Sequence, residues 1–178
     1  MRISRTSKTA PDEKLAFEYA KSAITEFGAW IKNADTKATV LAAGFGAVST
    51  ITASRTAAVL TAIFGGFEGW RIVVAVVAVA FVIAAVVTLW FLVRALVPRR
   101  DVSRGRNAFA WPSVARFTPD DDTFKAASAS MAWEQAHALA RIADAKFAAF
   151  QSALYSFVAV VVFAAVIVGV ASAIETTP

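Results

Sequence analysis

Two stretches of this chain run without a charged residue for longer than any strand or ordinary core helix requires. Ile72 to Val93 is 22 residues, mostly Val, Ala and Ile, closing on Trp90, Phe91 and Leu92, and Ser152 to Ile174 is 23. At about 1.5 Å per residue, a helix of either length covers the roughly 30 Å hydrocarbon core of a bilayer. Lipid offers backbone amides no water, so only helices or closed barrels cross it, and each run is far too long for one strand. Both are therefore expected to be transmembrane helices. A third run, Ala38 to Ser54, has 17 residues, is diluted by Gly44, Gly46 and several hydroxyl side chains, and stops at Arg55. That is the lower limit for a span. The sequence stays apolar beyond Arg55 through Phe67, which predicts a further turn or two of helix with Arg55 snorkelling toward headgroups, before Gly65, Gly66 and Gly69 supply a turn.

Composition agrees with this class: 58% of residues are hydrophobic and 17% charged, against roughly 25% charged in soluble domains. The absence of cysteine excludes disulfides, thiolate nucleophiles and thiolate metal sites. The net charge of +5 has a definite distribution. Residues 1–37 carry seven Lys and Arg, residues 94–146 carry nine, and the connection from Arg55 to Arg71 carries two. By the positive-inside rule the N-terminus and residues 94–146 are cytoplasmic and the C-terminus lies outside. The expected fold is an all-α membrane protein with three transmembrane helices, N-in and C-out, at about 38–56, 72–93 and 152–174. Residues 1–12 form a tail, 13–174 one domain, and 94–151 a cytoplasmic connector and helix. No secretory signal pattern precedes the first span. Topology explains the basic balance, so no nucleic-acid partner is expected.

Two cytoplasmic helices are expected to lead into the first and last spans. Thr9 as cap, Pro11, Asp12 and Glu13 favour a helix start. Phe17, Ala20, Ile24, Phe27, Ile31, Ala34, Ala38 and Leu41 then recur at alternating spacings of three and four, a heptad seam that runs straight into the first span. Thr118, Pro119 and Asp120 to Asp122 repeat the start signals. From Phe124 no breaker occurs until Gly169, so roughly half of a very long helix stands in the cytoplasm, with Ala127, Met131, Ala138 and Ile142 on its packing face. Where each helix meets the bilayer a short motif recurs: Ala34-Asp35-Thr36-Lys37 and Ala143-Asp144-Ala145-Lys146. An Asp and a Lys two apart point to different sides of one helix. Pairing between helices, Asp35 with Lys146 and Asp144 with Lys37, is the economical reading, and swapping Asp35 with Lys146 should then restore folding lost in either single reversal. The alternative is that these charges simply face headgroups.

Chemistry-bearing residues are sparse. His137 is the single imidazole and reads as a surface or packing residue beside Trp133 and Arg141. No phosphate-loop, dinucleotide, zinc-protease or nucleophile-elbow pattern occurs, so no catalytic residue is assigned. The Asp120 to Asp122 run lacks the glycine and distal glutamate of a calcium loop, and no metal site is expected. The connector holds Arg94, Arg99, Arg100, Arg104 and Arg106, able to hold a phosphate or to touch anionic lipid. Trp30 and Trp133 suit helix packing or base stacking. Gly44 and Gly46, with Ala42, Ala43 and Ala47, permit close helix approach within the bilayer.

Taken together, Trp30 to Ala38 (W-I-K-N-A-D-T-K-A), the Gly/Ala-rich first span, the arginine-rich connector and Ala138 to Lys146 (A-L-A-R-I-A-D-A-K) resemble the transmembrane effectors of Pycsar antiphage defence. The resemblance covers roughly residues 13–172. Small SLATT-type membrane effectors share the general plan. The resemblance implies a bacterial inner-membrane effector, not an enzyme and without cofactor. It would respond to cyclic UMP or cyclic CMP from a partner pyrimidine cyclase by impairing the membrane, with growth arrest or abortive infection as the outcome. Asn33, Asp35, Lys37, Asp144 and Lys146 match its motif. No phosphate-binding cassette of a cyclic-nucleotide domain is found, which leaves residues 94–134 as the spare cytoplasmic surface. Three spans of one chain cannot enclose an aqueous pore, so a homo-oligomer is expected. The competing reading is a constitutive membrane scaffold with no ligand.

Overall fold

The alternating three- and four-residue spacing of the first heptad seam is realised as one unbroken helix, α1, Ala10–Ala53. The computed structural model describes residues 10–65, 68–98, 107–115 and 128–175. Within them α1 is followed by α2 (Thr56–Gly65), α3 (Glu68–Leu96), the single turn α4 (Trp111–Val114) and α5 (Ala129–Glu175), and no strand occurs among the described residues. Thr9, Gly66, Arg99, Arg100, Arg104, Arg106, Thr118 to Asp122, Phe124 and Ala127 lie outside the described residues. Two helices are long and apolar enough to cross a membrane, Arg71–Leu96 and Ala129–Ala173, and a third crossing is available if α1 and α2 count as one broken span.

The break has a local cause. The helix was expected to continue past Arg55; instead α1 ends at Ala53 and a separate helix, α2, begins at Thr56, bent from it by 51°. Around the break four hydroxyls accept no helical role and return to the backbone instead. Thr50 Oγ1 donates to the Gly46 carbonyl and Thr52 Oγ1 to that of Val48, both at 2.9 Å, while Ser54 Oγ reaches Ile51 and Thr56 Oγ1 reaches Ala53, both at 2.7 Å. Such back-bonding competes with the i to i−4 ladder and bends helices. The Arg55 amide consequently bonds the Thr52 carbonyl, at 3.1 Å, in a tightened turn. After α2 the chain reverses into α3, where Arg71 Nε donates to the Ile63 carbonyl at 2.6 Å. That carbonyl belongs to the last turn of α2, where a cation complements the helix dipole.

The chain divides into two compact units, residues 1–33 with 98–145, and residues 34–97 with 146–178. In the second unit, Ala38, Ala95 and Ala149 form one buried layer with Phe150 against it. Leu41, Leu92 and Ala153 form the next. As the α1 and α5 numbers rise the α3 number falls, so α3 runs antiparallel to both. Burial follows a narrow stripe on each helix: Ala34, Ala38 and Leu41 on α1, then Ala84, Thr88, Leu92 and Ala95 on α3. On α5 it runs through Ala149, Ala153, Val160, Ala164, Ile167 and Ala171. The remaining surface of α3 is exposed Val, Ile, Leu and Trp, as on a helix whose solvent is lipid. Lipid tails are as apolar as leucine, so close van der Waals packing of small side chains holds such helices together. One polar contact supplements it: Thr88 Oγ1 lies 3.0 Å from Ser156 Oγ and 2.8 Å from the Ala84 carbonyl. Thr88→Val should lower stability in micelles by about 0.6 kcal/mol, a typical interhelical hydrogen bond in a bilayer, as read from a denaturant-induced unfolding midpoint.

The first unit packs the start of α1 and of α5 with residues 107–115. The seam residues Phe17, Ile24, Phe27 and Ile31 are half-buried and Ala20 fully so. On α5 the deepest positions are Ala132, Ala136, Ala138 and Ala143, with Met131 and Ile142 half-buried. Of the expected packing positions Ala138 is fully buried, whereas at Met131 and Ile142 the following alanines, Ala132 and Ala143, lie deeper, because an alanine-rich helix offers several equivalent seams. Residues 107–115, expected to be spare surface, contribute to the interior. Asn107 is 1% exposed; its Nδ2 donates to the Met131 carbonyl and its Oδ1 accepts from the Phe109 amide, both at 2.8 Å. The Phe109 ring meets Phe17 edge-on at 5.9 Å. Asn107→Ala takes the acceptor from the Phe109 amide and removes the bond that ties this segment to the Met131 carbonyl, and should lower stability by about 1–3 kcal/mol, seen as faster proteolysis or amide exchange around residues 107–115.

Candidate functional site

Lys146 is the one charged side chain among the described residues that is fully buried. It follows Ala145 on α5, one residue past the unit boundary, and its neighbours on the interior stripe are small: Ala143 a turn before, Ala149 a turn after. Their size leaves room for a four-carbon stem between helices. An ammonium has three donors and no acceptor, and two partners are placed for it. It donates to Asp35 Oδ1 on α1 and, at 2.9 Å, to the Ala95 carbonyl on α3. The Ala95 carbonyl lies in the last turn of α3, just before the Val97 amide that bonds the Val93 carbonyl. Lys146 therefore binds the last turn of α3 while neutralising Asp35 and complementing the helix dipole.

The two partners differ in environment. The Lys146 side chain is 4% exposed and that of Asp35 is 42% exposed, so the cation depends wholly on the protein and the carboxylate also reaches solvent. The expected Asp35–Lys146 pairing is present. The mirror pairing concerned Lys37 and Asp144, residues of different units. Lys37 is exposed with Nζ 5.9 Å from the centroid of the Phe147 ring, and Asp144 is exposed. Asn33 and Arg94 are exposed as well. A third partner, the backbone of Ala95, was not visible to side-chain motif reading.

The remaining candidates are dispersed. Trp30 and Trp133 each keep a substantial part of the indole exposed, and Trp133 stands 6.4 Å from the exposed ring of His137. A side chain at Gly44 would make an ordinary 3.7 Å contact with Phe157 of α5, and one at Gly46 would meet nothing within 4 Å, so neither glycine is demanded by packing inside this chain. Among the described residues no group of three or more His, Asp or Glu side chains could hold a metal ion.

Long apolar helices tied by one buried lysine define a helical membrane protein with a polar site that joins helices. The family model of the Pycsar effector protein domain matches residues 19–173, and the chain belongs to that family. It is accordingly an effector of Pycsar antiphage defence. No curated protein and no solved structure matches the chain.

Proposed function

We propose that this protein is an inner-membrane effector that responds to cyclic UMP or cyclic CMP, made by a partner pyrimidine cyclase, by impairing membrane integrity until the host stops growing or dies. The observation that carries this reading is the family match over residues 19–173. Placing sixteen of the eighteen basic residues on one side of the three runs supports an orientation with both termini of the 94–146 segment cytoplasmic and the C-terminus outside. A chain of three crossings is too small to enclose a pore, so the damaging species is a homo-oligomer, with the open side of Gly46 available for contact between copies. The nucleotide acts on the cytoplasmic helices, where Trp30 and Trp133 offer stacking faces and Arg94 with the connector arginines offers charge for a phosphate. It drives the change by binding the damaging assembly more tightly than the quiet one.

Phage challenge tests the reading. Cells carrying the protein together with a pyrimidine cyclase should lose plaque formation by orders of magnitude, and cells carrying the protein with an inactivated cyclase should not. Equal plaque counts in the two, with the cyclic nucleotide measured in the infected cells, would favour a ligand-independent scaffold instead.

A further inference from the structure

The chain passes between its two units at three places, 33 to 34, 97 to 98 and 145 to 146. The three groups joined at Lys146 sit beside all three of these crossings: Asp35 just after the first, the Ala95 carbonyl just before the second, and Lys146 itself at the third. We propose that the Asp35–Lys146–Ala95 tie is a conformational latch: it holds α1, α3 and α5 together in a closed packing of the membrane unit, and breaking it is the step by which the signal opens that packing. The proposal rests on the effector reading above.

The chemistry suits a latch better than a stability device. A buried ion pair contributes little net stability compared with an apolar replacement, since both charges give up hydration, and its best-attested use is to specify one arrangement over its alternatives. Here the arrangement specified is three-way. An alanine layer of Ala38, Ala95 and Ala149 lies directly beneath the tie, and alanines on three helices can slide or separate without leaving large side chains stranded. The ammonium is the component that cannot: if α3 withdraws, the Ala95 carbonyl loses its donor, and if α1 withdraws, a fully buried cation loses its counter-charge. Withdrawal of either α1 or α3 therefore breaks one of the two bonds of a buried ammonium, and separation of α5 breaks both, so each way of opening this end meets a discrete polar cost. A hydrogen bond to a charged group is worth about ten- to a hundredfold in such an equilibrium, so its removal should shift the population toward the open packing by that factor.

The test uses the full chain in bacterial cells with a potential-sensitive dye. Lys146→Met keeps the length of the side chain and removes both donations. Asp35→Asn keeps shape and an acceptor oxygen while removing the counter-charge, so it carries the test should the first variant not accumulate. Lys14→Met removes an exposed charge elsewhere. Inserted protein is quantified in the membrane fraction and helicity checked by circular dichroism. Without any cyclase, Lys146→Met and Asp35→Asn should depolarise cells at expression levels at least tenfold below those at which wild type does so, and Lys14→Met should match wild type. Variants inserted and helical as wild type, yet equally silent without cyclase, would overturn the latch. The effector reading is judged separately, by wild type with cyclase: its failure to depolarise there would refute the nucleotide signal, while the latch is still decided by the arm without cyclase.

Discussion

Asp35→Ala is expected to destabilise the protein in micelles by about 3–5 kcal/mol, whereas Lys146→Met should cost only about 1–2 kcal/mol. The inequality follows from where each partner is left. Removing the carboxylate strands a lysine whose side chain is 4% exposed, with one carbonyl for company, while removing the lysine leaves a carboxylate that is 42% exposed and can be solvated. The double variant Asp35→Ala, Lys146→Met should return to the level of Lys146→Met alone, because the stranded charge is gone. Exchange of the two residues was expected from sequence to restore folding. The Ala95 carbonyl makes the tie asymmetric: a carboxylate at position 146 would face an acceptor, so the exchanged pair should recover less than the apolar double. Unfolding midpoints for the four variants decide the matter, and equal costs for the two single variants would show that Lys146 is not held as described.

Ala153→Phe is expected to be the most damaging apolar substitution in the membrane unit, at about 3 kcal/mol, the upper end for overpacking a closed site. Ala153 is fully buried between Leu41 and Leu92, with Phe45, Phe91, Phe150 and Phe157 around them. A phenyl ring there has to displace side chains packed from both facing helices. Position 153 lies two turns from Lys146 on the same stripe, so separation of α1 from α5 at this level also loosens the tie. Leu154→Phe, one residue along on the exposed side, should change the midpoint by less than about 0.5 kcal/mol. Similar losses at the two positions would contradict the packing of α5 against α1 and α3.

Much of this arrangement was legible from residue spacing. The seam from Phe17 to Leu41 is half-buried or buried throughout, because a heptad with bulky apolar residues leaves one choice of face. The Asp35–Lys146 pair was legible from the recurrence of an Asp and a Lys two apart on parallel helices. Other features carry no such signature. The Ala95 carbonyl is backbone, and no side-chain pattern marks which carbonyl of α3 a lysine on α5 reaches. The bend at Ser54 and Arg55 arises from hydroxyls returning to their own helix, and the same residues in sequence look like a diluted span. Asn107 follows a run of arginines and reads as a loop residue, although its amide links the 107–115 segment to α5. In the alanine-rich part of α5 several stripes are equally apolar, so spacing found Ala138 but not the deeper Ala132 and Ala143 beside Met131 and Ile142.

The most direct test of a nucleotide-signalled membrane effector is the membrane potential itself, followed by dye fluorescence in cells that express the wild-type chain with an active or an inactivated pyrimidine cyclase. Depolarisation should appear only with the active cyclase, within the time in which the cyclic nucleotide accumulates, and Lys146→Met should depolarise without it. A potential unchanged in the presence of measured cyclic UMP or cyclic CMP, with the protein confirmed in the membrane, would contradict the proposed function.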